Sequence, residues 1–135
     1  MKAAWLITGA FAMSCMALAA EPGEPPEGST PQIETATYCS ATFSHLSEIY
    51  KGLNFNDFAR KFGAGAQRWY LYAQLQVKDN SDLVLDRIEA HSQAIAQARF
   101  KAGVDDAQAS ALWIEDIAMC EAAEKTTFGN SFRQL

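Results

Sequence analysis

Proline is confined to one end of this chain, and that distribution limits the folds open to it. All four prolines lie within the first 31 residues, and Pro31 is the last of them. The rest of the sequence spaces its apolar side chains three and four residues apart, which is the period of an amphipathic α-helix. Because no proline interrupts that pattern, the sequence predicts an all-α fold from residue 32 onward.

Short turn segments divide the helical region into four parts. Gly52 with Asn54, and later Gly103, are typical of helix ends. Asn56 and Asp105 are expected to cap the second and fourth helices. Four helices of similar length joined by short turns favour antiparallel neighbours, so we expect an up-down-up-down four-helix bundle. The predicted helices span residues 32–53, 56–77, 82–102 and 105–125.

Each predicted helix has an apolar face that we expect to point into the bundle. Gly63 and Gly65 lie within the second helix, where they must permit either close helix contact or a bend. Taken from the first predicted helix to the fourth, the expected inward residues are Ala36, Cys39, Phe43, Leu46, Tyr50 and Leu53; Phe55, Phe58, Phe62, Ala66, Trp69 and Ala73; Val84, Ile88, His91, Ile95, Ala98 and Ala102; and Ala109, Leu112, Trp113, Ile117 and Cys120. The hydroxyls expected to be solvated on the first helix are those of Thr35, Thr37, Ser40, Thr42, Ser44 and Ser47.

Two cysteines follow residue 20, and their positions test the bundle prediction. Cys39 lies early in the first predicted helix and Cys120 late in the fourth, both on the inward face. In an up-down-up-down bundle these helices are adjacent and the two positions lie at the same end. We therefore expect a structural disulfide between them. A metal pair or a catalytic thiol is disfavoured because the chain has no CxxC and neither cysteine has a histidine within four residues.

The N-terminus has the layout of a secretory signal peptide over residues 1–20. Lys2 supplies a basic start, an apolar run follows, and small residues resembling a cleavage site close it. Residues 21–31 are acidic and rich in proline and glycine, so we expect a disordered leader before a helical domain over residues 32–135. The predicted location is the periplasm or the exterior of the cell. Lipid attachment at Cys15 is the alternative.

The overall charge argues against several classes of partner. The chain carries a net charge of −5 at pH 7, and removal of Lys2 with a signal peptide would make it more acidic. An acidic chain of this size has no electrostatic attraction to phosphate backbones, so nucleic acid is not an expected partner. An anionic membrane surface is disfavoured on the same ground. After signal cleavage, no integral membrane segment is expected.

Two predicted helices carry residue types that are common at protein interfaces. In the second helix Tyr70 and Tyr72 lie beside the apolar face, with Arg68 nearby, and these types are enriched among interface hot spots. The fourth helix carries carboxylates that the helix dipole does not explain and that would speed encounter with a basic partner. The structural alternatives are aromatic rings that cover core edges and carboxylates that are simply solvated. The acidic residues are Glu115, Asp116, Glu121 and Glu124.

The two histidines are the remaining candidate site residues. His91 lies on the inward face of the third helix, where an imidazole either binds a ligand, senses pH or serves as a hydrogen-bonded core residue. His45 lies beside the inward face of the first helix, so a cross-ligand between the two is conceivable. The chain has neither a CxxCH haem-attachment motif nor an HExxH zinc motif. We therefore expect no cofactor and no metal.

The sequence favours a binding protein over an enzyme. It has no GxSxG motif, and nothing places its carboxylates in a shared cleft. The leading hypothesis is an exported envelope module that binds another protein, in an immunity, inhibitor or accessory role. The first alternative is a periplasmic stress or pH-responsive chaperone, whose packing loosens on acidification through His91 and the carboxylates. The second is a carrier of a small ligand, metal or haem in the bundle core.

Overall fold

A computed structural model describes residues 24–77, 80–102 and 106–129 of the chain. These residues form four α-helices, and no β-strand occurs among them. The all-α prediction is therefore confirmed, with helix ends shifted by at most three residues from the expected ones. The helices are α1 (Pro31–Gly52), α2 (Asn56–Gln76), α3 (Ser81–Ala102) and α4 (Asp106–Phe128).

Local side-chain chemistry explains where α1 begins and ends. The Oγ1 atom of Thr30 accepts a hydrogen bond of 3.2 Å from the backbone N–H of Ile33, which caps the first turn. Pro31 is tolerated beside it because a first-turn N–H has no partner within the helix. After Gly52, Asn54 adopts a left-handed conformation with φ of 64°, as the sequence predicts for a helix exit.

The predicted caps of the second and fourth helices differ from the observed ends. Asn56 is the first helical residue of α2, and the cap position belongs to Phe55, which has no side-chain acceptor for the first turn. The prediction that Asn56 caps this helix is therefore wrong. Helix α4 begins at Asp106, while the expected cap Asp105 lies outside the described residues.

Helix α1 is the centre of the bundle and contacts each of the other three helices. Its most extensive contact is with the antiparallel α2, where Ser40 Oγ donates to the Ala66 carbonyl at 2.8 Å and Ser47 Oγ donates to the Ala59 carbonyl at 2.7 Å. A Cβ atom at Gly63 would lie 3.2 Å from Ser47 Oγ. Of the two possibilities that the sequence leaves open for this glycine, close helix contact or a bend, the structure shows close helix contact.

A disulfide between Cys39 and Cys120 joins α1 to α4. The two Cα atoms lie 5.5 Å apart, and both side chains are buried. The bond confirms the predicted pairing and places the first and last helices side by side. Together with the contacts among the helices, it fits the expected up-down-up-down order.

The middle of α1 has no solvated face, which corrects the prediction for its hydroxyl residues. Thr37, Ser40 and Thr42 are buried. Thr37 Oγ1 donates to the Ile33 carbonyl within the same helix at 2.7 Å, whereas Ser40 bonds across to α2. Because neighbouring helices contact α1 on several sides, these small side chains are enclosed. The bonds of Thr37 and Ser40 to backbone carbonyls keep the cost of burying those two hydroxyls low.

The turn between α1 and α2 departs from the predicted inward pattern. Leu53, Phe55 and Phe58 are exposed, although the periodicity places all three inside. Leu53 and Phe55 lie between the two helices, where the helical period no longer sets the direction of a side chain. The inner side is filled instead by Tyr50 and Phe62, whose stacked rings have centroids 5.5 Å apart.

The far end of the bundle is closed by aromatic contacts between α2 and α4. The Phe128 ring meets the buried Trp69 ring with a centroid distance of 4.7 Å, and Tyr72 packs against Phe128 at 5.6 Å. Phe128 thus packs onto the bundle as the last residue of α4, three residues beyond the predicted end of that helix. Phe132 lies outside the described residues.

The predictions for the N-terminus concern residues that the structure mostly does not describe. The signal peptide, Cys15 and the first part of the leader all precede residue 24. Nearer the bundle, Ser29 and Thr30 are bonded to the first turn of α1. None of the helices within residues 24–77, 80–102 and 106–129 has the length and apolar character needed to cross a bilayer.

Candidate functional site

A largely buried carboxylate at the start of α1, Glu34, with 12% of its side chain exposed, is the centre of a polar cluster between α1 and α3. Arg87 donates two hydrogen bonds to Glu34, from Nε to Oε2 at 2.9 Å and from Nη2 to Oε1 at 2.5 Å. Ser29 Oγ donates to Oε2 at 2.6 Å, and His91 Nε2 lies 3.4 Å from Oε1. The bidentate arginine geometry is the strongest form of this contact. It ties the N-terminal end of α1 to α3.

The cluster changes the acidity of Glu34. Burial by itself raises the pKa of this carboxyl, but His91 and the hydrogen bonds from Arg87 and Ser29 outweigh it, so the pKa lies well below its usual range. A carboxylate that is more acidic in the folded chain than in the unfolded chain stabilises the fold wherever it is ionised. That stabilisation is present above the ordinary glutamate pKa of about 4.3 and is lost as the pH falls toward the folded value.

We expect Glu34→Gln to be less stable than the parent protein at pH 7, with a difference that narrows as the pH falls below about 4. Below that pH the unfolded parent chain takes up a proton at Glu34, whereas the glutamine variant has no proton to bind. Urea unfolding at a series of pH values measures the difference. Glu48→Gln, which changes an exposed glutamate on the same helix, is the matched control. A Glu34→Gln difference that stays constant from pH 7 to pH 3 would contradict the prediction.

A second buried carboxylate links α1, α3 and α4. Asp116 accepts a hydrogen bond of 2.6 Å from the Tyr38 hydroxyl and forms an ion pair with Arg99. Burial and the hydrogen bond to Asp116 raise the pKa of the Tyr38 hydroxyl above its usual range, so it stays protonated and donates. The Arg99 guanidinium also lies 4.1 Å from the centre of the Trp113 ring, a cation–π contact.

These contacts correct the predicted acidic face of α4. Asp116 and Glu124 are buried, so the prediction that they belong to an outward surface is wrong. Glu115 is exposed and Glu121 is half-buried. A helix that is contacted by two neighbours turns some of its carboxylates inward, and the paired Arg99 offsets the cost for Asp116.

The two histidines have different surroundings. His91 is buried as predicted, with its ring edge-on to Tyr38 at a centroid distance of 5.4 Å, and its Nδ1 atom has no hydrogen-bond partner among the described residues. His45 is half-buried, and its Nε2 atom lies 2.8 Å from Ser92 Oγ on α3. Within the part of the chain that the structure describes, no three His, Cys, Asp or Glu side chains are grouped as a metal site requires.

The predicted aromatic patch on α2 is only half exposed. Tyr70, Tyr72 and Arg68 are all half-buried. The Tyr70 hydroxyl accepts a hydrogen bond of 2.8 Å from Gln74, and Tyr72 packs edge-on against Trp69 at 5.9 Å. Both rings therefore cover edges of the core while part of each remains accessible.

The side of α2 that faces away from α1 carries apolar residues that the sequence reasoning missed. We define this outer face of α2 by four exposed residues, Ala64, Gln67, Leu71 and Leu75. Leu71 is 51% exposed and Leu75 is 80% exposed. The four positions are spaced three and four residues apart, so they form one stripe along the helix. That spacing is visible in the sequence. The aromatic stripe on the opposite side of α2 has the same spacing and is longer, so it dominates the pattern.

A second exposed apolar region lies at the α1–α2 turn. We define this turn surface by Ile49, Leu53, Phe55 and Phe58, which are between 41% and 58% exposed. Lys51, Arg60 and Lys61 are exposed in the same segment of the chain, as are Glu48 and Asp57, and Asp57 forms an ion pair with Arg60. Apolar groups of this kind on the surface mark interaction sites more often than isolated apolar residues do.

An open cleft of about 370 Å³ lies between the start of α1, the second half of α2 and the last turns of α4. Its lining includes Gln32 and Thr35 on one side, Tyr72 on another and Thr126 with Thr127 on the third. The cleft is at the surface of the bundle and not in its core, where the carrier hypothesis places a ligand.

Comparison of the chain with protein-family models, with curated proteins and with solved structures found no match.

Proposed function

We propose that this protein is an exported, non-enzymatic module of the cell envelope that binds another protein through the outer face of α2. The observation that carries the proposal is the exposure of Leu71 and Leu75 on a helix whose opposite side is packed against α1. Two large aliphatic side chains one helical turn apart are the pattern that a helix uses to dock into an apolar groove. A role as an immunity, inhibitor or accessory protein fits such a surface.

The residues beside this face support the same reading. Tyr70 and Tyr72 are half-buried on either side of the stripe, and Arg68 lies within it. Aromatic residues and arginine are enriched in the central part of protein interfaces, where rings that are already held by packing lose little entropy on binding. On α4, the exposed Glu115 remains a candidate for speeding encounter with a basic partner.

The interior ion pairs support a structural role for Asp116, which the sequence places among the candidate partner-binding residues, and for Glu34. Glu34 and Asp116 each bind an arginine of α3, and neither is among the residues that line the open cleft. Their arrangement holds helices together. The Cys39–Cys120 disulfide is in keeping with a compartment that permits oxidation.

We expect Leu71→Gln/Leu75→Gln to weaken partner capture by about tenfold or more, because the minority of residues at the packed centre of an interface cost over about 1 kcal/mol each when truncated and the proposal places both leucines there. The protein is immobilised and exposed to envelope extract, and retained proteins are compared by quantitative mass spectrometry. Leu85→Gln/Ile114→Gln is the matched control, since it makes the same change at exposed positions on α3 and α4. Tyr70 and Tyr72 stay unchanged because their rings also cover the core.

The outcome that supports the proposal is a protein retained by the parent and by the control but lost by the α2 variant. If all three baits retain the same proteins in the same amounts, the outer face of α2 is not the binding site.

A second candidate function is an acid-responsive chaperone, and the Glu34 cluster favours it. This cluster contains a buried carboxylate whose contribution to stability is lost on acidification, next to His91. The pH series with Glu34→Gln described above also tests this candidate.

A further inference from the structure

The turn surface combines exposed apolar rings with a fixed conformation. The Tyr50 ring lies beneath it and has centroid distances of 5.3 Å to Phe58 and 6.3 Å to Phe55. Tyr50 also stacks on Phe62, which in turn packs against the buried Phe43 at 5.4 Å. The exposed rings are thus supported by the core and remain at the end of the helical hairpin instead of folding into it.

The charges around the turn surface differ in sign from the charge of the whole chain. The segment from Glu48 to Lys61 carries three basic side chains and two acidic ones, in a chain whose net charge is −5. One of the acids, Asp57, is already paired with Arg60. The basic side chains Lys51, Arg60 and Lys61 are exposed. This end of the hairpin is therefore locally basic and apolar at once.

We propose that the turn surface docks on a bilayer that contains anionic phospholipids. Leu53, Phe55 and Phe58 enter the boundary between headgroups and acyl chains, and the nearby lysine and arginine side chains contact lipid phosphates. Side chains of this composition bind the interface by burying apolar area to a depth of about 5–10 Å, with added attraction to anionic lipid. At that depth the backbone of the turn stays among the polar headgroups, so its N–H and C=O groups keep partners.

A lipid surface fits the turn better than a protein groove does. The apolar side chains of the turn surface are exposed at and beside the connection between α1 and α2. None of its four defining residues has a hydrogen-bonding side chain, so its apolar contact needs no matched set of polar groups on the other side. A fluid interface accepts such a tip without a matched cavity.

The net negative charge of the chain does not prevent this docking. At physiological ionic strength charges are screened over about 8 Å, so the attraction depends mainly on charges close to the turn, where Lys51, Arg60 and Lys61 outnumber Glu48 and Asp57. The attraction is set by the lysines and arginine beside the turn. The expectation that an anionic membrane is disfavoured is drawn from the charge of the whole chain, whereas this proposal concerns the local charge at the turn.

The test measures partition of the oxidised protein into vesicles of phosphatidylglycerol with phosphatidylethanolamine, against vesicles of phosphatidylcholine. We expect binding to the anionic vesicles, reduced on the order of tenfold or more by Phe55→Ser/Phe58→Ser and by Lys51→Gln/Lys61→Gln. Leu85→Ser/Ile114→Ser is the matched control, because it removes exposed apolar side chains from α3 and α4, outside the turn surface and the outer face of α2, and it should bind as the parent does. Raising the salt concentration should weaken parent binding.

A reporter at the tip separates this contact from any other contact with the vesicles. Phe55→Trp places a tryptophan on the turn surface, and its emission, taken as the difference from the parent, should shift to the blue on anionic vesicles. No shift, or equal partition of the parent and the Phe55→Ser/Phe58→Ser variant, overturns the proposal. A further result would also overturn the proposal: the parent does not bind vesicles but self-associates in sedimentation, and Phe55→Ser/Phe58→Ser abolishes the self-association. The turn would then contact a second copy of the chain. Loss of vesicle binding by the control variant would also overturn the proposal.

Discussion

Asp116→Ala is expected to lower the free energy of unfolding by about 3–5 kcal/mol, because it removes one partner from a buried ion pair. Asp116 is only 2% exposed, accepts the Tyr38 hydroxyl and is paired with Arg99. Truncation leaves the Arg99 guanidinium in the interior without its counter-charge and the Tyr38 hydroxyl without its acceptor. An unpaired buried charge costs more free energy than the ion pair contributes, because the attraction within the pair is offset by the desolvation of both groups.

Chemical unfolding of Asp116→Ala and of Glu115→Ala measures this effect at adjacent positions. Glu115 is exposed, so its truncation is expected to change the free energy of unfolding by no more than about 0.5 kcal/mol. Tyr38→Phe should fall between the two, because Asp116 then keeps its arginine. Equal stability of the two alanine variants would show that Asp116 is not held in the buried ion pair.

Replacing both disulfide cysteines, as Cys39→Ala/Cys120→Ala, is expected to lower the free energy of unfolding by about 4 kcal/mol. The cysteines are separated by 81 residues in sequence, and the entropy that a cross-link removes from the unfolded chain grows with the length of the loop. Alanine is chosen because both sites are fully buried and a serine hydroxyl would need a partner there.

The parent protein is unfolded by urea with and without reductant, alongside the double-alanine variant. Reductant should lower the stability of the parent to near that of the variant and leave the variant unchanged. Two thiols that react with an alkylating reagent in the non-reduced, denatured parent would contradict the disulfide. A parent that is insensitive to reductant would show that the bond contributes little to stability.

The helices and the disulfide were predictable because they depend on local signals and on one simple geometric relation. Apolar spacing and the absence of proline identify the helices, and the exit at Gly52 and Asn54 is a backbone preference of those residues. Cys39 and Cys120 could be paired because each residue of one helix lies level, along the bundle axis, with only a few residues of the adjacent helix. Each of these inferences needs only the sequence next to a residue or the order of the helices.

The buried polar interior was not predictable from the same pattern. Helical periodicity assigns each helix one inner face, but a helix enclosed by several neighbours has inner residues all round. A usable signal was present, because no Asp, Glu, Lys or Arg occurs between Glu34 and Glu48. A stretch of that length without charge indicates a helix buried on all sides. The pairing of each carboxylate with its arginine depends on tertiary contacts. Asp116 and Arg99 are 17 residues apart in the sequence, and Glu34 and Arg87 are 53 residues apart.

The turn is exposed although its residues are apolar, because apolar character does not by itself indicate burial. Surface apolar residues are common in folded proteins, so composition alone does not place Phe55 or Phe58 inside. The helical period could not orient Leu53 and Phe55, since α1 ends at Gly52 and α2 begins at Asn56. The candidate surfaces of this molecule are therefore found where the sequence pattern and the structure disagree.

The cross-link between α1 and α4 has a consequence for the covalent topology of the molecule. Because Cys39 and Cys120 lie in the first and last helices, the bond closes the backbone into a ring that contains all of α2 and α3. A single peptide-bond cleavage anywhere between those cysteines opens the ring but releases no fragment. The connection between α2 and α3 could thus be nicked by a protease while the two hairpins, each with one of the bonded cysteines, stay a single molecule.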